Sequence, residues 1–138
     1  MTTHRPPRLL LADDHLPTIR LLCGLLEEEF DVIAEVAEGN ALVRAAEELS
    51  PDVIVTDISM TGLDGISAAV LITRRNPSAR IVFVTVHAEP AMVERSLATG
   101  ALGYVLKEAA GDDLIPAIRA AIRGERYVSQ ALKGKQTE

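Results

Sequence analysis

Four apolar runs in this chain end on a side chain that can do chemistry. "RLLLADD" ends on Asp13 and Asp14, "DVIVTD" on Asp57, "RIVFVT" on Thr85 and "LGYVLK" on Lys107. Carboxylates brought together repel one another and call for a cation, and oxygen ligands that leave room for water suit Mg²⁺. With a cation in place, one carboxylate can attack a phosphoryl group. Transfer then depends on positioning and on charge neutralisation, to which an ammonium contributes. A threonine hydroxyl nearby can hydrogen-bond the acquired phosphoryl oxygens. No Cys/His set has zinc spacing, since His4, His15 and His87 stand far apart.

Each of these residues also has an ordinary explanation. Asp13 and Asp14 are suitable caps for a helix starting near Leu16. Asp57 suits an Asx turn, and Asp64 suits the loop before the next helix. Thr85 has a strand propensity of its own. Lys107 is a common surface residue, and His15 and His87 read as rim residues without metal. These explanations weaken together, because all the candidates map to one edge of one sheet.

The elements that would position them alternate along the chain. Arg8–Asp13, Asp31–Val36, Asp52–Asp57, Arg80–Thr85 and Leu102–Lys107 are short and rich in Val, Ile and Leu. Four are almost continuously apolar, as parallel strands covered on both faces must be. "DVIAEV" is less uniform and reads as an edge. Helical spacing lies between them, in Ile19, Leu22, Leu26 and Phe30, in Leu42, Ala45 and Leu49, in Ile66, Val70 and Thr73, and in Leu114, Ile118, Ala121 and Ile122. Ser50-Pro51 and Asn76-Pro77 close two helices, Gly100 closes a third as a left-handed cap, and Asp112 and Asp113 bring negative charge to the start of the last. Repeated βα units with right-handed crossovers require a parallel sheet with helices on both faces. Ligands then bind outside the carboxyl ends of the strands.

Composition narrows the function classes. A chain of 138 residues suits one compact domain, and 48% hydrophobic residues supply its core. A net charge of −6 without a dense Lys/Arg block argues against direct duplex DNA binding. With 3% aromatic residues and no Trp, stacking platforms for bases or sugars are not expected. No signal peptide or spanning segment fits "MTTHRPPR" and the "LLLA" after it, so the expected location is cytoplasmic. The single cysteine, Cys23, lies within a helical apolar pattern and reads as a core filler.

The stretches "LLLADDH", "DVIVTDISMTGLDG", "IVFVTVHA" and "GALGYVLKEA" together resemble a CheY-like response-regulator receiver domain over roughly residues 8 to 124. "GYVLKEA" and "GERYVSQAL" are most similar to regulators of the NarL/FixJ type. The resemblance implies a single doubly wound (βα)5 sheet of strand order 2-1-3-4-5. It implies Asp57 as phosphoacceptor, Asp13 and Asp14 as the acidic pair with Asp14 the more direct Mg²⁺ ligand, and the Ser59 carbonyl as backbone metal ligand. It also implies Thr85 and Lys107 as the phosphoryl-binding hydroxyl and ammonium. Tyr104 matches the aromatic switch position, with its ring expected to rotate inward when Asp57 is phosphorylated and Thr85 moves. Two positions depart from the family pattern: Thr61 stands where Pro is common, and Glu108 follows the lysine where many members have Pro.

The functional expectation is a two-component receiver that takes a phosphoryl group from a histidine kinase and switches an interaction surface, rather than a metabolic enzyme. Homodimerisation on phosphorylation, and transcriptional control through an output domain outside these residues, follow from the resemblance; membrane association does not. The alternative roles are a stand-alone receiver or a phosphorelay intermediate. A haloacid-dehalogenase-type phosphatase would place its nucleophile after the first strand in a D-x-D pattern, where this chain reads "DDHLPT". A degenerate receiver acting as a scaffold would lack part of the residue set. The expected organisation is a flexible N-terminus over residues 1–7, a receiver over 8–124, and a tail or linker start over 125–138.

Overall fold

A computed structural model describes residues 5–132. His4, the start of the expected flexible N-terminus and residues 133–138 lie outside the described residues. The chain runs β1 (Arg8–Ala12), α1 (Leu16–Leu26), β2 (Asp31–Val36), α2 (Gly39–Leu49), β3 (Val53–Thr56), α3 (Gly65–Arg75), β4 (Ile81–Thr85), α4 (Pro90–Leu97), β5 (Gly103–Leu106), α5 (Ala110–Ile122) and β6 (Tyr127–Val128). A 3-10 turn over Lys107–Ala109 leads into α5. The strands are parallel throughout, in the order β2-β1-β3-β4-β5-β6. This is the doubly wound α/β sheet of order 2-1-3-4-5, extended by one strand.

Alternation along each strand divides the core in two. Leu10, Ile54, Phe83 and Tyr104 face α2, α3 and α4, where they meet Leu42, Ala69, Ile72 and Val93. Leu9, Leu11, Val53, Val55, Val82, Val84 and Val105 face the other way, onto Ile19, Leu22 and Leu26 of α1 and Leu114, Ala117, Ile118 and Ala121 of α5. Both faces are therefore apolar, which is why the central strands read as unbroken hydrophobic runs. Each fully buried aliphatic side chain contributes about 1.5–3 kcal/mol. β2 is an edge strand, as its mixed pattern suggests, and only partly buried.

Local signals end the helices where the sequence indicates. Ser50 caps α2 with φ 44, Asn76 follows α3, and Gly100 (φ 98) turns the chain after α4. The Asp64 side chain caps α3 by accepting from the Ser67 N–H at 2.8 Å. Asp112 and Asp113 lie in the first turn of α5.

Two expectations need correction. Cys23 is not a core filler. It is half-buried at the margin of the α1 cluster, and its thiol donates to a Glu35 carboxylate oxygen at 2.9 Å. Burial, then the bond to Glu35 and the charge of that carboxylate, push the thiol up to about 12, which leaves it a poor nucleophile. Where a tail was expected from residue 125, the chain instead adds β6 beside β5, pairing Gly103 with Tyr127 and Tyr104 with Val128. Beyond it, Ser129 and Leu132 are buried, with Leu132 in the core under α4 and β5. A two-residue strand has no readable periodicity, so the polar residues around it dominate the pattern.

Truncating Leu132 tests this packing. Leu132→Ala is expected to lower unfolding free energy by about 2–5 kcal/mol, as for other buried leucines. A loose tail residue would change it by no more than about 0.5 kcal/mol. Urea denaturation followed by circular dichroism reads the difference.

Candidate functional site

The ends of β1, β3, β4 and β5 meet on one rim. β1 lies beside β3, with Leu11 opposite Val55 and Ala12 opposite Thr56, so Asp13 and Asp57 follow directly from adjacent strands. The Asp57 N–H donates to the Ala12 carbonyl at 2.9 Å, which extends that ladder to the carboxylate itself. Lys107 leaves β5 and reaches back across the rim. Its ammonium donates to Asp57 Oδ2 at 3.0 Å and lies 2.9 Å from Asp13 Oδ2.

Each carboxylate is held differently. Asp57 is 7% exposed, and its Oδ1 accepts from the Ile58 N–H at 2.7 Å. Asp13 is 4% exposed and its Oδ1 accepts from the His15 N–H at 2.9 Å, so it also orders the entry to α1. The capping expectation is not met: α1 has no side-chain cap, and Asp13 binds the N–H of His15, the residue just before the helix. Asp14 is exposed, and the Thr61 hydroxyl donates to it over a long 3.4 Å. One oxygen from each of Asp13, Asp14 and Asp57 lies within 4.8 Å of the others.

One ammonium for three carboxylates leaves negative charge in excess in a mostly buried place. Burial raises the Asp57 carboxyl above its ordinary value, and the Asp13 charge adds to this; Lys107 and the Ile58 N–H oppose it without cancelling it. Burial acts to lower Lys107, but its bonds to Asp13 and Asp57 outweigh that and raise it. The donors are all hard oxygens, crowded and under-neutralised. A small divalent cation fits such a set and zinc-type ligands are not among it.

The remaining candidates surround this triad. Thr85 ends β4 fully buried, and its hydroxyl oxygen accepts from the His87 N–H at 3.2 Å. His87 is a rim residue, as expected, with Nε2 3.0 Å from the Ser59 hydroxyl and Nδ1 3.6 Å from Glu89. His15, whose N–H binds Asp13, directs its ring to α1, with Nδ1 2.7 Å from the Thr18 hydroxyl. Tyr104 already lies inside, 0% exposed beside Phe83, with its hydroxyl donating to the His87 carbonyl at 2.8 Å. Burial, followed by the charges of Glu89 and Asp57, raises that phenol. Thr61, in place of the commoner proline, is tied to the segment before α2 through a parallel bridge to Glu38.

Sequence reasoning missed Gly65. Its N–H donates to the Ile58 carbonyl at 2.7 Å, and a Cβ there would collide with the Asp57 carbonyl oxygen. The absence of a side chain lets α3 start against the backbone of Asp57. The available signal was a glycine directly after the capping Asp64.

The chain is similar to known proteins over most of its length. The family described as "Response regulator receiver domain" matches residues 9–119. The chain is 39% identical over 130 residues to the transcriptional regulatory protein LiaR of Bacillus subtilis (strain 168), covering 93% of this chain and 62% of that protein. It is 33% identical over 135 residues to the nitrate/nitrite response regulator protein NarL of Escherichia coli (strain K12), covering 96% and 62%. The chain thus spans less than two thirds of these curated relatives. A crystal structure of a two-component response regulator of the LuxR family from Aurantimonas sp. SI85-9A1 superposes with a TM-score of 0.92 at 30% identity, covering 96% of each chain.

The electrostatics predict a pH-dependent gain from removing one charge. The folded-state value of Asp57 stands above its unfolded value, so its contribution to stability is fully present below the ordinary carboxylate range and is lost as pH rises through the folded value. Asp57→Asn, which keeps the shape and leaves Lys107 paired with Asp13, is expected to be more stable than the natural chain at pH 7 without divalent cations. The difference should shrink towards pH 4. Denaturation midpoints of the two proteins across that range provide the check.

Proposed function

The chain belongs to the response regulator receiver family, and from that premise we propose that it accepts a phosphoryl group on Asp57 from a histidine kinase phosphohistidine. The observation that carries this reading is the Lys107 ammonium held between two buried carboxylates, with Asp14 bringing a third carboxylate to the same few ångströms. Burying such a charge cluster costs stability, and perturbed carboxylates of this kind collect at functional sites.

In the proposed reaction an Asp57 oxygen attacks phosphorus, the P–N bond breaks, and its electron pair leaves with the imidazole. Asp57 Oδ1 is oriented by the Ile58 N–H and Oδ2 by Lys107, so the nucleophile is aligned before the donor arrives. Lys107 can then follow the negative charge onto the phosphoryl oxygens. Asp13, Asp14, Asp57 and the Ser59 carbonyl would hold Mg²⁺, which when bound neutralises charge on the entering phosphoryl group. The carboxylate is consumed and regenerated on the same chain, which supports calling the protein a phosphoacceptor rather than an enzyme.

Switching would start at Thr85. Its oxygen accepts from the His87 N–H, and the His87 carbonyl accepts from Tyr104. A phosphoryl group that recruits the Thr85 hydroxyl competes with the first of these bonds and loosens the loop that carries the second. Tyr104 and Thr85 are therefore the switch pair of this reading, with the ring released from its inward seat or re-seated there. Such coupling requires that the phosphoryl group bind the two arrangements differently.

The partner of the site is a histidine kinase. Leu16 and Val86, 55% and 70% exposed, follow β1 and β4 on the same rim and offer it apolar contacts. The similarity to LiaR, a transcriptional regulatory protein, supports control of transcription through a DNA-binding output domain, with dimerisation on phosphorylation. No helix among the described residues is long and apolar enough to cross a membrane, and a cytoplasmic location is part of the proposal. The receiver unit is proposed to run from Arg8 to Leu132, beyond the residue 124 at which the sequence pattern fades.

Acetyl phosphate with Mg²⁺ should add one phosphoryl group to the natural chain and none to Asp57→Asn, as read by intact-protein mass spectrometry. Equal labelling of the two would overturn the assignment. For the cation, Asp14→Ala should weaken Mg²⁺ binding more than Asp13→Ala, because Asp13 is already committed to Lys107 and the His15 N–H. Calorimetric titration measures the order, and equal losses would remove it.

A further inference from the structure

We propose that Ser129 is a positioning residue for Lys107, a role that rests on the phosphoryl-transfer reading above. Lys107 must reach two carboxylates at 2.9 and 3.0 Å from the end of β5, and the outer neighbour of β5 is only two residues long. The β6 segment bonds to β5 in sequence: the Tyr127 N–H donates to the Leu102 carbonyl at 2.8 Å and the Ser129 N–H to the Tyr104 carbonyl at 2.9 Å. The next rung would serve the Leu106 N–H. The chain, however, turns helically at residues 130–132, away from the sheet. The Ser129 hydroxyl oxygen fills that rung and accepts from the Leu106 N–H at 3.1 Å.

Ser129 thus grips β5 twice within the three residues before Lys107. It is 0% exposed, so water does not substitute for the hydroxyl. The segment that carries it is anchored on both sides. Tyr127 donates to Asp113 at 2.8 Å, and Leu132, 1% exposed, enters the core. On its inner side, β5 pairs Leu106 with Thr85. Leu106 is therefore held between the hydroxyl-bearing end of β4 and Ser129, and the direction in which the chain delivers Lys107 is fixed from both flanks. Ser129 lies outside the matched stretch 9–119, so the catalytic rim is completed by a residue that the family pattern does not include.

The test uses the 138-residue chain with Ser129→Ala, Ser129→Thr, Lys107→Ala and the Ser129→Ala/Lys107→Ala double variant. The readouts are phosphorylation rate with acetyl phosphate, affinity for beryllofluoride as the phosphoryl stand-in, and Mg²⁺ affinity alone. Ser129→Ala is expected to slow phosphorylation and weaken beryllofluoride binding by roughly tenfold, less than the loss from a full ångström of misplacement. Mg²⁺ affinity should hold and Ser129→Thr should restore the rate. Ser129→Ala should add nothing in the Lys107→Ala background, because it acts through that side chain. Natural rates in Ser129→Ala, or the same tenfold loss on top of Lys107→Ala, would overturn the proposal. Lys107→Ala with an undiminished rate would instead overturn the reading of the site beneath it. If the alanine variant does not fold, Ser129→Thr and Ser129→Val, alike in shape and different in the hydroxyl, make the same comparison.

Discussion

The bridge from Lys107 to Asp13 and Asp57 is the interaction around which the rest of the molecule is arranged. Charges taken out of water are stable only with good geometry and satisfied lone pairs. That geometry needs β1, β3 and β5 to end at one level, and the ladder from Ala12 to the Asp57 N–H provides it between the first two. It also needs the chain after β5 to turn at once, which the 3-10 turn at Lys107 does. A slip of one residue in any of these strands would turn every side chain of that strand to the other face and take a charge out of reach. The two apolar layers therefore stabilise the fold and also set the register on which the charge cluster depends.

The same cluster explains why a stable domain carries a place of strain. Lys107 bridges two carboxylates with a third close by, and burial, with the Asp13 charge added, raises the Asp57 carboxyl above its ordinary value. A sheet whose core alone determined its sequence would end β1 and β3 on neutral turn residues. The residue that relieves the charge is connected to the proposed switch pair: Lys107 follows the strand that carries Tyr104, and Tyr104 is hydrogen-bonded to the loop that follows Thr85. The ammonium and both members of the proposed switch pair thus belong to the same two adjacent strands, β4 and β5.

Much of this was legible in the sequence, for a physical reason. Parallel strands covered on both faces leave continuous apolar runs, so a charged residue at the end of a run stands out, as Asp13, Asp57 and Lys107 do. The helices were legible from spacing, although α1 stops at Leu26 and Phe30 is buried from the following turn. What sequence could not give was set by contacts between distant segments. Gly65 matters because of a backbone approach to Asp57. Cys23 packs at the margin of the core, where its thiol meets Glu35 of β2. β6 exists because Tyr127 and Ser129 find partners on β5 and α5.

The sheet of this domain has two open edges, and they are closed to other chains by different means. On one side β2 carries exposed Asp31 and Glu35, charges that discourage a foreign strand from pairing along it. On the other, β6 offers two residues before the backbone turns away, too few to template an extension. Without that short strand the outer edge would be β5, whose four residues are all apolar or glycine. The C-terminal segment therefore also covers the β5 edge, and shortening the chain before residue 127 would leave that edge open to edge-to-edge pairing with another chain.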